Sequence, residues 1–373
     1  MMKKFAFVLM FIGLFFGCSK IQRLTDKVTN PSAREIYARN FEDENLDYLN
    51  WLNELEIART NILEIELPAV ITGQFDPNVN SAVAYTMELE RGEELFVEVK
   101  ASTDSSLVFL DIYPIRNDSI VATEPVKSAD WSSKRLNYPI EASGRYKVLI
   151  QAGLSNEGAY SYKIYSQPTL TFPVAGKDNK AIQSFWGASR DGGRRSHEGL
   201  DIFSTRGTPV VAATDGYVSF TGERGLGGKQ VWLRNGLFGY SLYYAHLDSI
   251  SAVSGKRVKP GDTLGFVGNT GNARTTAPHL HFGIYARGGA INPLPFVKMQ
   301  TVPEFEMAEI GTVGVTKQRQ NQLRTGPKVS YEKIATLTQR DTLKILGKVD
   351  NWYHVKSSGN LEGFMHSSLL SFP

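Results

Sequence analysis

The chain has a single cysteine, Cys18, among 373 residues. A disulfide framework and a metal site built on thiolates each need several, so both are excluded. An excess of either charge is missing too. There are 41 Lys and Arg against 38 Asp and Glu, with no long basic block, which argues against a nucleic-acid partner. Histidine is scarce, at six. Any metal centre must therefore be assembled from His and carboxylates, and each His can be weighed singly. What is present is 42% hydrophobic content and a length that, at roughly 150 residues per domain, fits two or three domains with real cores.

Lys3 and Lys4 precede an apolar run from Phe5 to Phe16 that ends at Gly17-Cys18-Ser19. As a helix the run is too short to span a bilayer core of ~30 Å, but it fits the apolar part of a secretory signal. The segment resembles a bacterial lipoprotein signal, with Phe15 where the usual box has Leu. That resemblance implies removal of residues 1–17, acylation of Cys18, and a chain held in the cell envelope by a lipid anchor. The expected place is the outer membrane, facing the periplasm. Removing 1–17 leaves 39 basic against 38 acidic residues, so most of the apparent basicity belongs to the signal.

Asn30-Pro31-Ser32 reads as a helix start, with a capping side chain and a Pro in the first turn. Ala33, Ile36, Tyr37, Phe41, Tyr48, Leu49, Leu52 and Leu55 follow at helical spacings, predicting one long helix or two short ones to about residue 60. From about residue 65 the period becomes two. Tyr85, Met87 and Leu89 alternate with polar neighbours, Arg91-Gly92-Glu93 turns the chain, and Leu95, Val97 and Val99 continue it. Further strands are expected at 107–112, 145–150 and 159–165, which together predict an antiparallel β-sandwich. Gly144-Arg145-Tyr146-Lys147-Val148 resembles the closing strands of bacterial pre-peptidase jelly-roll domains, and the implied role is positioning or shielding the domain that follows.

Residues 170–300 are strand-rich again and hold four of the six His in three short motifs. These are Ser196-His197-Glu198-Gly199-Leu200-Asp201, Tyr243-Tyr244-Ala245-His246-Leu247 and Pro278-His279-Leu280-His281-Phe282. A catalytic zinc takes three N or O ligands and keeps one open position. Residues two apart on a strand face the same way, so His279 and His281 share one spot. His197 and Asp201 converge if their segment is extended, and Gly199 argues against the helix that an HExxH motif requires. His246 falls on the strand face of Leu242 and Tyr244, so it too reaches inward. Singly, each motif is weak; together, in a β-rich domain, they form a metal-site pattern.

At these residues the domain resembles the lysostaphin/LytM-type zinc metallopeptidases, which cut peptide cross-bridges in peptidoglycan. The resemblance spans about residues 173–297 and includes Ser184-Phe185-Trp186-Gly187, Gly207-Thr208-Pro209-Val210, Asp215-Gly216, Val258-Lys259-Pro260-Gly261-Asp262, Gly268-Asn269-Thr270-Gly271 and Ile291-Asn292-Pro293. It implies that His197, Asp201 and His281 hold Zn2+ and that His246 and His279 are the catalytic pair. Residues 272–277 form a loop about two residues longer than the common family form. The implied partners are peptidoglycan stem peptides and cross-links, with D-alanyl–diaminopimelate the expected bond. The alternative is a non-catalytic wall-binding protein or an activator of a peptidoglycan amidase. Arg190, Arg194 and Arg195 stand before the first ligand and are candidates for pairing with stem-peptide carboxylates.

Beyond residue 308, Leu323-Arg324-Thr325-Gly326-Pro327, Asn351-Trp352-Tyr353-His354-Val355 and Glu362-Gly363-Phe364-Met365-His366 are similar to the bacterial SH3-like domain. Trp352 and Tyr353 are candidates for a recognition groove or for core packing, and His354 and His366 read as structural or surface residues. The expected fold class is mainly β and multidomain: an N-terminal helix, an antiparallel β-sandwich, a lysostaphin-type β-sheet peptidase domain and a small SH3-like β-barrel. The divisions are 1–17 signal, 18–62 linker and helical segment, 63–168 β-sandwich, 169–299 zinc metallopeptidase domain and 308–373 SH3-like domain.

Overall fold

A computed structural model describes residues 31–373, apart from 77–81, 117–118, 121–123, 131–132 and 237–238. The signal segment and Cys18 lie outside the described residues. Among the described residues, no helix is long and apolar enough to cross a membrane.

The N-terminal helical stretch is two helices, α1 (Ala33–Ala38) and α2 (Leu46–Thr60). The cap of α1 is Ser32, whose hydroxyl accepts from the Glu35 amide while the Glu35 side chain returns to the Ser32 amide. This capping box satisfies two orphan donors, and it puts Pro31 ahead of the helix instead of in its first turn. Asn45 caps α2 more simply, its side-chain oxygen accepting from the Tyr48 amide at 2.9 Å. Trp51, Leu55 and Ala58 turn inward from α2, and the Trp51 indole N–H donates to the Ala152 carbonyl at 2.7 Å.

Strands Ala82–Leu89, Gly144–Ala152 and Val108–Arg116 form one sheet of an antiparallel sandwich, and Ala69–Phe75, Gly158–Pro168, Glu93–Ala101 and Arg135–Pro139 belong to the other. Val83, Tyr85, Met87 and Leu89 join the core between the sheets with Leu95, Val97 and Val99. Ala82 and Ala84, on the opposite face of the first sheet, lie under Leu55 and Ala58 of α2. Both faces of that sheet are thus covered, which is why burial along Ala82–Leu89 is nearly continuous although its sequence alternates.

The C-terminal unit is fused to this sandwich edge to edge. Strand Thr342–Val349 pairs with Ala69–Phe75 at Thr72↔Lys348, so one hydrogen-bonded sheet runs from the SH3-like strands into the sandwich. Ionisable groups are buried along the seam. His354 is fully buried with its Nδ1 3.0 Å from the Tyr85 hydroxyl, so it is structural. Lys356 lies 3.3 Å from Glu362 and 3.1 Å from Glu54 of α2. Trp352 packs against the sandwich core and against His366, which accounts for it as a packing residue.

The domain between is a separate antiparallel sheet in the order Ile182–Ser184, Leu200–Phe203, His279–Ala286, Ser241–Ile250, Lys229–Arg234, Gly216–Glu223. One face is fully buried: Leu200, Ile202, Leu280, Phe282, Leu242, Tyr244, Val231 and Leu233. The sandwich meets this domain where Arg91 donates to the Tyr240 hydroxyl at 2.9 Å. Tyr240 stands six residues before His246, about 20 Å at strand rise, so this contact positions the domain without covering His246.

Candidate metal centre

The register of two neighbouring strands builds the site. Asp201 pairs with His281 and Phe203 with His279, so a carboxylate and two imidazoles share one face, opposite the buried one. His197 enters from the loop before Leu200–Phe203, fixed by backbone bonds from its N–H to Ala188 O and from Gly187 N–H to its own carbonyl, both 2.9 Å. Gly199 lets that loop come close. A Cβ there would sit 2.6 Å from His281 Cε1 and 2.7 Å from the Phe282 carbonyl oxygen.

His246 arrives by a different route than strand alternation gives. Leu242 and Tyr244, its alternation partners, are in the core, whereas Ala245 is the residue paired with His281. Regular alternation would therefore bury His246 away from the site. Instead its φ is +63°, a left-handed conformation that turns the side chain to the other face. The turn falls where strand Ser241–Ile250 leaves His279–Ala286 and pairs with Thr263–Val267, with register shifts on both flanks. Its ring centroid ends 5.1 Å from that of His279 and 5.8 Å from that of His281. A non-Gly residue held in this region costs of order 1–3 kcal/mol, and such strain gathers at functional sites.

Three donor atoms form a triangle. His197 Nε2 lies 3.0 Å from Asp201 Oδ1 and 3.1 Å from His281 Nδ1, and His281 Nδ1 lies 3.0 Å from Asp201 Oδ1. His197 Nδ1 is 2.9 Å from the Phe185 carbonyl, so the proton is on Nδ1 and Nε2 carries a lone pair. Lone pairs and a carboxylate turned on one another repel unless a cation sits among them. Zinc with ligand distances of about 2.0–2.1 Å in tetrahedral geometry sets donors about 3.3 Å apart, close to the observed triangle. The N, N, O set also suits zinc chemically, so the residues fit the metal. Burial pushes the Asp201 carboxyl up, but His197 and His281 beside it outweigh burial and hold it well below the usual range. It is therefore ionised and ready to ligate.

His279 and His246 present the same tautomer. Each has Nδ1 on a backbone carbonyl, Ala277 O at 2.8 Å and Thr270 O at 2.9 Å, which leaves each Nε2 as an acceptor. His279 is also stacked on Phe203, with ring centroids 4.9 Å apart. Burial, then the neighbouring His281 and His279, bring the His246 pKa down to about 4, so it is neutral near pH 7. Each ring thus keeps the lone pair of its Nε2 available as an acceptor.

Arg190 is the site residue whose role the sequence did not give. Its Nη2 donates to Asp201 Oδ2 at 2.8 Å and to Ser184 Oγ at 2.5 Å. It is therefore engaged with a ligand side chain, which replaces the expectation that it meets a stem-peptide carboxylate. Phe185, Thr270 and Ala277 act through backbone carbonyls, which leave no residue-type signal. Gly199 did leave one, in the spacing of its motif, where it was read only as a helix breaker.

Residues 195–293 match peptidase family M23, and residues 322–371 match the bacterial SH3 domain. M23 peptidases are zinc metallopeptidases, in keeping with the donor set. The chain is 38% identical over 129 residues to the DD-carboxypeptidase/endopeptidase Mpg of Neisseria meningitidis, covering 35% of this chain and 29% of that protein. It is 33% identical over 161 residues to an L-Ala--D-Glu endopeptidase of Bacillus subtilis, covering 39% and 49%. It is 36% identical over 115 residues to the peptidoglycan DD-endopeptidase ShyA of Vibrio cholerae, covering 30% and 26%. The chain thus spans less than half the length of each of these relatives. It contains an M23 domain of the lysostaphin/LytM type followed by a bacterial SH3 domain.

Proposed function

We propose that this chain is a zinc-dependent endopeptidase that hydrolyses peptide cross-links of peptidoglycan, with the D-alanyl–diaminopimelate bond as its target. The observation that carries the reading is the donor triangle of His197, Asp201 and His281, with the Nε2 acceptors of His246 and His279 beside it. The names of the Neisseria and Vibrio relatives support a DD-bond. A purely wall-binding or amidase-activating role is not favoured, because it would need neither the ligands nor the imidazole pair.

His197, Asp201 and His281 would hold zinc, which would supply Lewis acidity for the scissile carbonyl. The rest falls to the chain. One Nε2, of His279 or His246, takes the proton of the attacking water, and the resulting imidazolium gives it to the leaving amine. The Nδ1 bonds to Ala277 and Thr270 keep Nδ1 of both rings engaged, so that Nε2 is the atom that takes up and returns the proton. Tyr243 stands edge-on to His281 with ring centroids 5.8 Å apart and packs at a tilt on Trp232 at 4.5 Å, and these rings would give the substrate an apolar surface beside the ligands. Acylated Cys18 would hold the enzyme at the outer membrane, facing the periplasmic wall, and the fused sandwich and SH3-like sheet would set its distance from that membrane.

The test is digestion of purified sacculi by the chain from residue 24 onward, with zinc or with a chelator. Chelator-sensitive conversion of cross-linked muropeptide dimers to monomers supports the reading; sacculi bound but unchanged in the presence of zinc contradict it.

A further inference from the structure

We propose that Arg190 is a positioning residue of the metal centre: it fixes the outer oxygen of Asp201, so that the carboxylate ligates through Oδ1 alone. The inference rests on the metal-centre reading above. Oδ1 of Asp201 lies 3.0 Å from both His197 Nε2 and His281 Nδ1, while Oδ2 accepts from Arg190 at 2.8 Å. The two oxygens thus have separate tasks. The side chain of Asp201 is only 12% exposed, so solvent does little to replace the guanidinium.

The hairpin that carries Arg190 also delivers a ligand. Ser189–Arg190 pairs with Arg195–Ser196, in the register Ser189↔Ser196 and Arg190↔Arg195. The turn between them uses left-handed glycines, Gly192 and Gly193. The next rung is the bond from His197 N–H to Ala188 O. One short ladder therefore sets both His197 and the guanidinium that orients Asp201, and Ser184 Oγ holds the same Nη2 from the neighbouring strand. A shift of the hairpin would move two of the three ligands together.

Two effects of opposite sign compete here. A guanidinium near a dication repels it and draws electron density from the carboxylate, which weakens binding. Holding the carboxylate in its ligating orientation strengthens binding, and loss of such an outer partner typically costs about 10–100-fold in metal affinity. We assign the larger weight to orientation, because Oδ1 of Asp201 already stands 3.0 Å from both imidazole nitrogens while the Arg190 bond holds Oδ2 away from them. If Arg190 merely neutralised Asp201 and gave way to the metal, its removal would tighten binding.

The experiment uses the full chain as wild type, Arg190→Gln and Arg190→Lys. Zinc affinity is measured by competition with a chelating chromophore, and the visible absorption of the cobalt-substituted protein reports coordination number. The expected results are about 10–100-fold weaker zinc binding in Arg190→Gln, partial recovery in Arg190→Lys, and a weaker cobalt absorption as Asp201 turns bidentate. Unchanged or tighter binding in Arg190→Gln overturns the proposal. If Arg190→Gln does not fold, Arg190→Lys decides alone, with binding severalfold weaker expected and wild-type affinity contradicting. Wild-type protein that binds neither metal overturns the underlying metal-centre reading instead, which separates the two failures.

Discussion

Replacing Gly199 by Ala tests the site at its tightest point. The added methyl would lie 2.6 Å from His281 Cε1, 2.8 Å from His281 Nε2 and 2.7 Å from the Phe282 carbonyl oxygen, where ordinary contact begins near 3.4 Å. The carbonyl belongs to a core strand whose Phe282 side chain is fully buried, so it cannot yield. With the carbonyl fixed, the strain is relieved by a shift of about 0.8 Å, either of the Gly199 loop, which carries His197, or of the His281 ring. Either displaces a ligand, whereas metal sites keep ligand distances within about 0.2 Å. A displacement several times the tolerance predicts a loss of zinc affinity of at least tenfold. Overpacking should also destabilise the domain by about 1–3 kcal/mol, against the roughly 5–15 kcal/mol that holds a typical domain folded. Competition with a chelating chromophore gives the affinity, and a thermal melt of the metal-free protein gives the stability. Gly236→Ala is the control, since a methyl there meets open space. A folded Gly199→Ala protein that binds zinc like wild type would refute the packing argument.

Two other predictions concern the loops and the domain seam. Gly228 has φ +60°, and a Cβ there would collide with Gly271 N and lie 2.5 Å from Thr270 Oγ1, so Gly228→Ala should displace Thr270, whose carbonyl orients His246. Turnover should fall at least tenfold while zinc content stays at the wild-type level, measured by metal analysis and dimer cleavage. At the seam, burial pushes the Glu362 carboxyl up, but His354 and Lys356 outweigh it and hold it below its ordinary value. Its contribution is thus present above the unfolded-state value and lost as pH falls through the lower folded-state value. Glu362→Gln should cost about 1–3 kcal/mol at neutral pH, less than an uncompensated buried charge would, because Lys356 keeps Glu54 as a partner. The variant's melting temperature should converge on that of wild type in acid. Equal melting temperatures at pH 7 would contradict this.

The legible part of the site was the part set by strand period and short spacing. His279 and His281 share a face because they are two apart, and the Asp201↔His281 register brings the remaining ligands to them. The mainly β class and the SH3-like unit were legible for the same local reasons. His246 was assigned to the site, but on a face that turns out to be core. Its position depends on one left-handed residue where a strand changes partner, which no periodic pattern encodes. The fusion of the SH3-like unit to the sandwich through Thr72↔Lys348 was not legible either, because edge pairing joins segments some 270 residues apart. Arg190 illustrates a third limit. A basic cluster before a ligand reads as substrate contact or solvated loop, and only coordinates assign it to Asp201 Oδ2.

The most direct test of the account is zinc content and cross-linked dimer cleavage measured on the same samples of wild type, His281→Ala and His279→Ala. The account predicts one zinc per chain and cleavage in wild type, loss of both in His281→Ala, and retained zinc without cleavage in His279→Ala. Equal zinc loss in the two variants, or cleavage surviving in His279→Ala, would contradict the division of this site into ligands and proton carriers.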